Sequence, residues 1–143
     1  MRLTRQVLYK TATPIDVTQL AFINDLSTAL RETMLKNNGI GLAAPQCGIP
    51  KRIFVMYTDG QHRTVVNPEI LTVSNNLCTI VEGCLSFPND FVEVTRPNSI
   101  SVKYYNQIGT LVEETLEGID ARCFLHEYDH LDGITMYKRK KLT

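Results

Sequence analysis

Residues 119–131, IDARCFLHEYDHL, restrict the fold more than any other part of the chain. Read as a helix, the segment puts Ile119, Cys123, His126 and His130 on one face, at steps of four, three and four. Phe124, Leu125, Tyr128 and Leu131 make the other sides apolar as well. A helix that is apolar nearly all round is a buried one. Gly133, just beyond it, suits a left-handed C-terminal cap. The chain must therefore pack its other elements around this helix, with two histidines and a glutamate turned inward. Burying such groups is costly unless they have work to do.

The same segment contains H-E-x-x-H, at 126–130. Two imidazoles one turn apart share a metal ion, and Glu127 adds a carboxylate beside them. Two histidines alone do not hold a catalytic metal, so a third ligand must come from Cys, His, Asp or Glu elsewhere. The residues after His130, LDGITMYKRK, include no further histidine. His62, the remaining one, lies in TDGQHRT and reads as an exposed turn residue. Cys84, in EGCLS at 82–86, stands out, because Gly83 before it permits unusual backbone geometry. Cys47, Cys78 and Cys123 read as small buried hydrophobes, with Cys123 nearest the metal face.

A third stretch, GIGLAAPQ at 39–46, places small residues at Gly39, Gly41, Ala43 and Ala44. Such a run lets a substrate backbone come close to the protein backbone, and Gln46 closes it with an amide donor. It contains neither GxGxxG nor GK[ST], so it is no nucleotide loop. Standing alone, it would read as a glycine turn after a helix.

Fifteen Lys and Arg balance fifteen Asp and Glu. That neutrality argues against a protein that grips nucleic acid or an anionic membrane. The basic run KRKK at 138–141 reads as a solvated tail. No apolar stretch approaches the ~20 residues of a membrane span, and MRLTRQVLYKTATP has no signal-peptide core. The four cysteines form no C-x-x-C pair, which points to free thiols in a reducing compartment. A chain of 143 residues is one domain, 1–143.

The fold class is α+β, mostly antiparallel strands around a central buried helix carrying HExxH, with an N-terminal amphipathic helix. Residues 16–37 form that amphipathic helix, with Asp16 as its N-cap and Asn37-Asn38-Gly39 as its stop. RIFVMY at 52–57 is a strand, and TDGQHR is a hairpin turn. Short strands follow around TVVNP, EILTVSNN and CTIVE. SISVKYYN and TLVEETLE then bracket a second hairpin.

GIGLAAPQ, EGCLS and HEYDH, in this order and spacing, resemble the three signature motifs of the peptide deformylases, GxGxAAxQ, EGCxS and HExDH. VNPEI, Arg96-Pro97 and HLDGI also fit, and the resemblance runs from about residue 16 to about residue 137. It implies metal-dependent hydrolysis of the N-formyl group from the formylmethionine of new polypeptides, with release of formate. Cys84, His126 and His130 would hold one divalent metal, Fe²⁺ in the cell, with Zn²⁺, Ni²⁺ or Co²⁺ able to occupy the site. Glu127 would be the general acid–base. Gln46 and the Leu85 backbone N–H would bind the oxyanion. Ile40 and Gly41 would bind the peptide backbone, and Ile119 and Cys123 would wall the methionine pocket. The implied partners are N-formylmethionyl peptides and, transiently, the ribosome, with no specific nucleic acid and no membrane. The implied location is the cytoplasm of a bacterial or phage-infected cell. The chain departs from the family at Leu125, where Gln is usual, and in VLYKTATPI, which lacks a Pro-x-x-x-Leu-Arg stretch. It also lacks the long C-terminal helix of many members. The alternatives are a small HExxH metallopeptidase and a non-catalytic relative that binds N-termini.

Overall fold

The structure is a computed structural model that describes residues 1–141. Leu142 and Thr143, which the expected 1–143 domain includes, lie outside the described residues. The elements in order are α1 (Leu20–Lys36), β1 (Gly41–Ala43), a short 3-10 turn (Ala44–Cys47), β2 (Ile53–Thr58), β3 (Gln61–Val73), β4 (Leu77–Cys84), β5 (Phe87–Pro97), β6 (Ser99–Tyr105), β7 (Leu111–Glu117) and α2 (Gly118–Leu131). This is an α+β architecture whose strand pairs are all antiparallel. One sheet has five strands in the order β1-β2-β3-β6-β7, and β4 and β5 form a separate pair.

Two apolar clusters sandwich the larger sheet. Along β2, Ile53 and Val55 pack with Ile23, Leu26, Leu30 and Met34 of α1. The alternate residues, Phe54 and Met56, pack with Ala121, Phe124 and Leu131 of α2. Successive strand side chains point to opposite faces. A strand covered on both faces therefore reads as the unbroken apolar run IFVM.

Helix α1 begins four residues later than the sequence predicts. Gln19 stands at its N-cap. Asp16 instead closes a turn ahead of the helix, its Oδ1 accepting from the Thr18 amide at 3.0 Å and the Thr18 hydroxyl at 2.7 Å. That local bond competes with helix and delays its start. At the other end Asn38 takes the left-handed conformation, φ 59°. Helix α2 ends as expected: Gly133 has φ 73°, its N–H bonds to His130 O, and Ile134 N–H bonds to Asp129 O.

The hairpin expected at TDGQHR is present but shorter: its turn is Asp59-Gly60, with positive φ at both residues, and Gln61, His62 and Arg63 already belong to β3. The segments around TVVNP and EILTV are one strand, β3, not two. A bulge at Asn67, φ 50°, interrupts its alternation. The Asn67 side chain there accepts from Ile15 N–H at 2.9 Å and donates to Ile15 O at 2.7 Å, fixing the N-terminal segment. Strand β5 has no counterpart in the sequence reading.

Candidate active site

Strand β4 ends at Cys84, and α2 brings His126 and His130 to meet it. The ligand atoms of these three residues all lie within 4.8 Å of one another, with Cys84 Sγ 3.5 Å from His130 Nε2. His130 is fully buried and His126 nearly so. His62 is exposed and is not one of this cluster; it lies in β3 rather than in a turn, opposite Tyr57, with the two rings tilted at 40° and their centroids 4.2 Å apart.

A divalent cation fits these residues. The donor set is one sulfur and two imidazoles, suited to Fe²⁺, Zn²⁺, Ni²⁺ or Co²⁺. Nδ1 of His126 is already bound to Glu82 Oε1 at 2.8 Å, which leaves its Nε2 for the cluster. Electrostatics agree. Burial alone would lower the pKa of His126, but Cys84 and Glu82 outweigh it and hold the imidazole up at about 10. Burial and then the charge of His126 push His130 well below the imidazole range. The cluster thus attracts positive charge without being able to protonate both rings.

Glu127 is 4% exposed, and its Oε1 has no hydrogen-bond partner among the described residues. Burial raises its carboxyl to about 7. Its other oxygen lies over Gly41: a Cβ at that glycine would fall 2.6 Å from Glu127 Oε2 and 2.9 Å from Cys123 Sγ. Glycine at 41 is therefore what lets β1 approach the carboxylate.

Gln46 is held in one orientation. Its Oε1 accepts from Ala43 N–H at 2.9 Å, so Nε2 must face the other way. There it stands 3.1 Å from Ser86 Oγ and 3.6 Å from Cys84 Sγ. Leu85 follows Cys84, and its side chain lies against Gly39, where a Cβ would be 2.7 Å from Leu85 Cδ1.

Ile40, Gly41, Gln46, Cys84, Leu85, Ile119, Cys123, His126 and Glu127 all line one cleft of about 570 Å³. His130 lies in the buried floor beneath it. The Ile40 carbonyl accepts from Tyr57 N–H at 2.8 Å and from the Cys123 thiol at 3.5 Å, so that group is committed within the fold. By antiparallel alternation the Gly41 N–H and C=O then point away from β2, to the open edge of the sheet.

Sequence reasoning missed the charged cluster behind Cys84, His126 and His130. Glu82 accepts from Arg96 Nε at 2.6 Å, Arg96 Nη2 at 3.0 Å and Arg122 Nη1 at 2.6 Å, besides His126. Burial would raise its carboxyl, but His126 and Arg96 more than reverse this and hold it far below the carboxylate range. Arg96 also donates to Asp129 at 2.9 Å, and Arg139 grips Asp129 with two bonds of 3.1 Å. Arg139 is thus not merely part of a solvated tail. Cys78 is exposed, against the expectation that it is buried, while Cys123 is buried and Cys47 partly so. No helix among the described residues is long and apolar enough to cross a membrane.

A family model described as polypeptide deformylase matches residues 1–142. A peptide deformylase of Thermotoga neapolitana is 45% identical over 135 residues, covering 94% of this chain and 82% of that protein. The crystal structure of peptide deformylase from Thermotoga maritima aligns with a TM-score of 0.94 at 42% identity, covering 99% of this chain and 97% of the other. The Met-Ala-Ser-bound class I type b enzyme from Acinetobacter baumannii aligns at 0.93 and 34% identity, covering 97% of both chains.

Proposed function

The chain belongs to the peptide deformylase family, and from that premise we propose how its own residues carry out the reaction. It is a metal-dependent hydrolase that removes the formyl group from N-terminal formylmethionine. Cys84, His126 and His130 hold the ion, Fe²⁺ in the cell. That ion supplies Lewis acidity and lowers the pKa of water toward neutral. The unpartnered Oε1 of Glu127 takes the proton from the attacking water and delivers it to the leaving amine. Gln46 Nε2 and the Leu85 backbone N–H receive the developing negative charge on the formyl oxygen. Gln46 needs no reorientation for this, because Ala43 already holds its other end.

The Gly41 N–H and C=O bind the peptide backbone as an added strand. Ile40, with its carbonyl committed, contributes its exposed side chain to the mouth of the cleft. Ile119 and Cys123 wall the methionine pocket. The Met-Ala-Ser peptide bound by the Acinetobacter baumannii relative supports a peptide in this cleft. The substrate is a nascent chain met in the cytoplasm with transient ribosome contact, and residues 1–143 act as one catalytic unit.

The observation that carries this reading is the convergence of Cys84, His126 and His130 within 4.8 Å, beside a buried carboxylate oxygen with no partner. Formate release from formyl-Met-Ala, set against cleavage of the unformylated peptide, separates it from a metallopeptidase. Metal content of Cys84→Ala tests the ligand set, and full retention would remove Cys84 from it. Iron-loaded enzyme should lose activity in air as iron and the Cys84 sulfur oxidise. Activity unchanged through prolonged aeration would argue against Fe²⁺.

A further inference from the structure

We propose that Arg122 is a positioning residue for the metal centre: its guanidinium locks the β4–β5 hairpin, which carries Cys84, onto α2, which carries His126 and His130. The three ligands come from two pieces of structure with little apolar contact. Among the described residues, neither of the two large apolar clusters contains a residue of β4 or β5; of the hairpin, Leu85 in its connecting turn alone packs against one of them, partly buried. Val92 and Val94 form a small separate cluster with Met136 and the partly buried Cys84 and Phe87. The hairpin leaves Leu77, Val81 and Phe91 exposed at 64%, 59% and 66%.

Polar bonds hold the hairpin instead, and Arg122 supplies the ones that reach both strands. From α2, its Nη2 donates to Cys78 O on β4 at 2.7 Å, and its Nη1 donates to Val94 O on β5 at 3.0 Å. Nη1 also donates to Glu82 Oε2 at 2.6 Å. Arg122 is 7% exposed, so these bonds are made away from bulk water. A guanidinium is a rigid planar fork, and one anchored at three acceptors fixes the distance between the elements it joins. That distance decides whether Cys84 Sγ meets the two imidazoles. The bond to Glu82 Oε2 also holds the carboxylate so that Oε1 faces His126 Nδ1. Arg96, the other arginine on Glu82, sits within the hairpin on β5 and reaches α2 only through Asp129. It cannot replace the grip of Arg122 on the two strand carbonyls.

The inference rests on Cys84, His126 and His130 as ligands. The test measures Co²⁺ or Zn²⁺ affinity by competition with a chelator, together with amide hydrogen exchange, on wild type, Arg122→Met, Arg122→Lys and Cys84→Ala. Arg122→Met should bind the metal about 10–100-fold more weakly, the range for losing a group that orients ligands. Amides of β4 should exchange at least about tenfold faster while those of β2 stay protected, since local opening follows local contacts. Arg122→Lys, which reaches fewer acceptors, should fall between. Wild-type affinity in Arg122→Met, or exchange accelerated equally in both sheets, would overturn the proposal and leave Arg122 a general stabilising residue. If Arg122→Met does not fold, unchanged affinity and exchange in Arg122→Lys overturn it in the same way. Metal retained by Cys84→Ala would instead refute the ligand set itself.

Discussion

Oε1 of Glu82 accepts a hydrogen bond from Nδ1 of His126 at 2.8 Å, with both side chains buried. The bond fixes which imidazole nitrogen is free, and so where the proposed metal ligand points. Glu82 is also a carboxylate that Arg96 and Arg122 share. One side chain thus joins the orientation of one proposed ligand to the attachment of the hairpin that bears another.

Glu82→Gln keeps the size of the side chain and one acceptor oxygen but leaves two buried guanidiniums facing a neutral group. Metal affinity should fall about 10–100-fold, and stability by about 3–5 kcal/mol. Chelator competition and urea denaturation measure the two effects. A stability loss with metal affinity intact would mean that His126 needs no help from Glu82.

Gly41→Ala places a methyl 2.6 Å from Glu127 Oε2 and 2.9 Å from Cys123 Sγ. β1 must shift or Glu127 must turn. Relieving such overpacking typically costs about 1–3 kcal/mol, and here the displaced group is the proposed proton carrier. Formate release should drop at least tenfold, about 1.4 kcal/mol in barrier, while metal content holds. Wild-type turnover would show that the cleft yields without moving Glu127.

What the sequence made legible were features with a local signature. The i, i+4 spacing of His126 and His130, the Gly133 cap and the Asp59-Gly60 hairpin each depend on residues a few positions apart. Cys84 was marked by its glycine neighbour and by its motif. The charged cluster has no such signature: Glu82, Arg96, Arg122, Asp129 and Arg139 meet only in three dimensions. A lone arginine or glutamate reads as a surface residue, because burial of a charge depends on a partner far along the chain. Strand β5 went unread because Pro88 and Asn89, φ 64°, break its start and its outward side chains mix Phe91, Glu93 and Thr95. Asn67 split β3 in the same manner, one bulged residue shifting the alternation.

Leu125 occupies the place where the family usually has Gln, and it is 8% exposed within the cluster around Phe124. No bond to the site passes through it. Leu125→Gln should change kcat/KM by less than about tenfold, since it removes no transition-state contact. A thousandfold rise would mark the natural chain as an impaired enzyme and revive the reading of an N-terminus-binding relative.

In metal-free protein the raised carboxyl of Glu127 should be visible in stability. Burial lifts it from 4.5 to about 7, so the folded state binds its proton more tightly than the unfolded chain does. That contribution is complete below about pH 4.5 and is lost as pH rises through about 7, by up to about 3 kcal/mol. Urea midpoints at pH 5 and pH 8 should therefore fall further in metal-free wild type than in metal-free Glu127→Gln. Equal falls in the two proteins would place the titration elsewhere.

Glu127→Gln should separate metal binding from catalysis. Glutamine keeps the shape of the side chain beside Gly41 but cannot accept a proton from water. Glu127 lies outside the trio of converging ligand atoms, so the variant should retain about one metal per chain, as Cys84, His126 and His130 do not change. Turnover should fall by ~10²–10⁴, the contribution of a positioned acid–base group. Affinity for a formyl-Met peptide should hold, because the proposed backbone contacts at Gly41 and the proposed walls at Ile119 and Cys123 are untouched. Metal analysis, formate release and peptide binding, measured on one preparation, decide the matter. A variant without metal would make Glu127 a ligand or a structural support. A variant with near-normal turnover would mean that the proton travels by another acceptor.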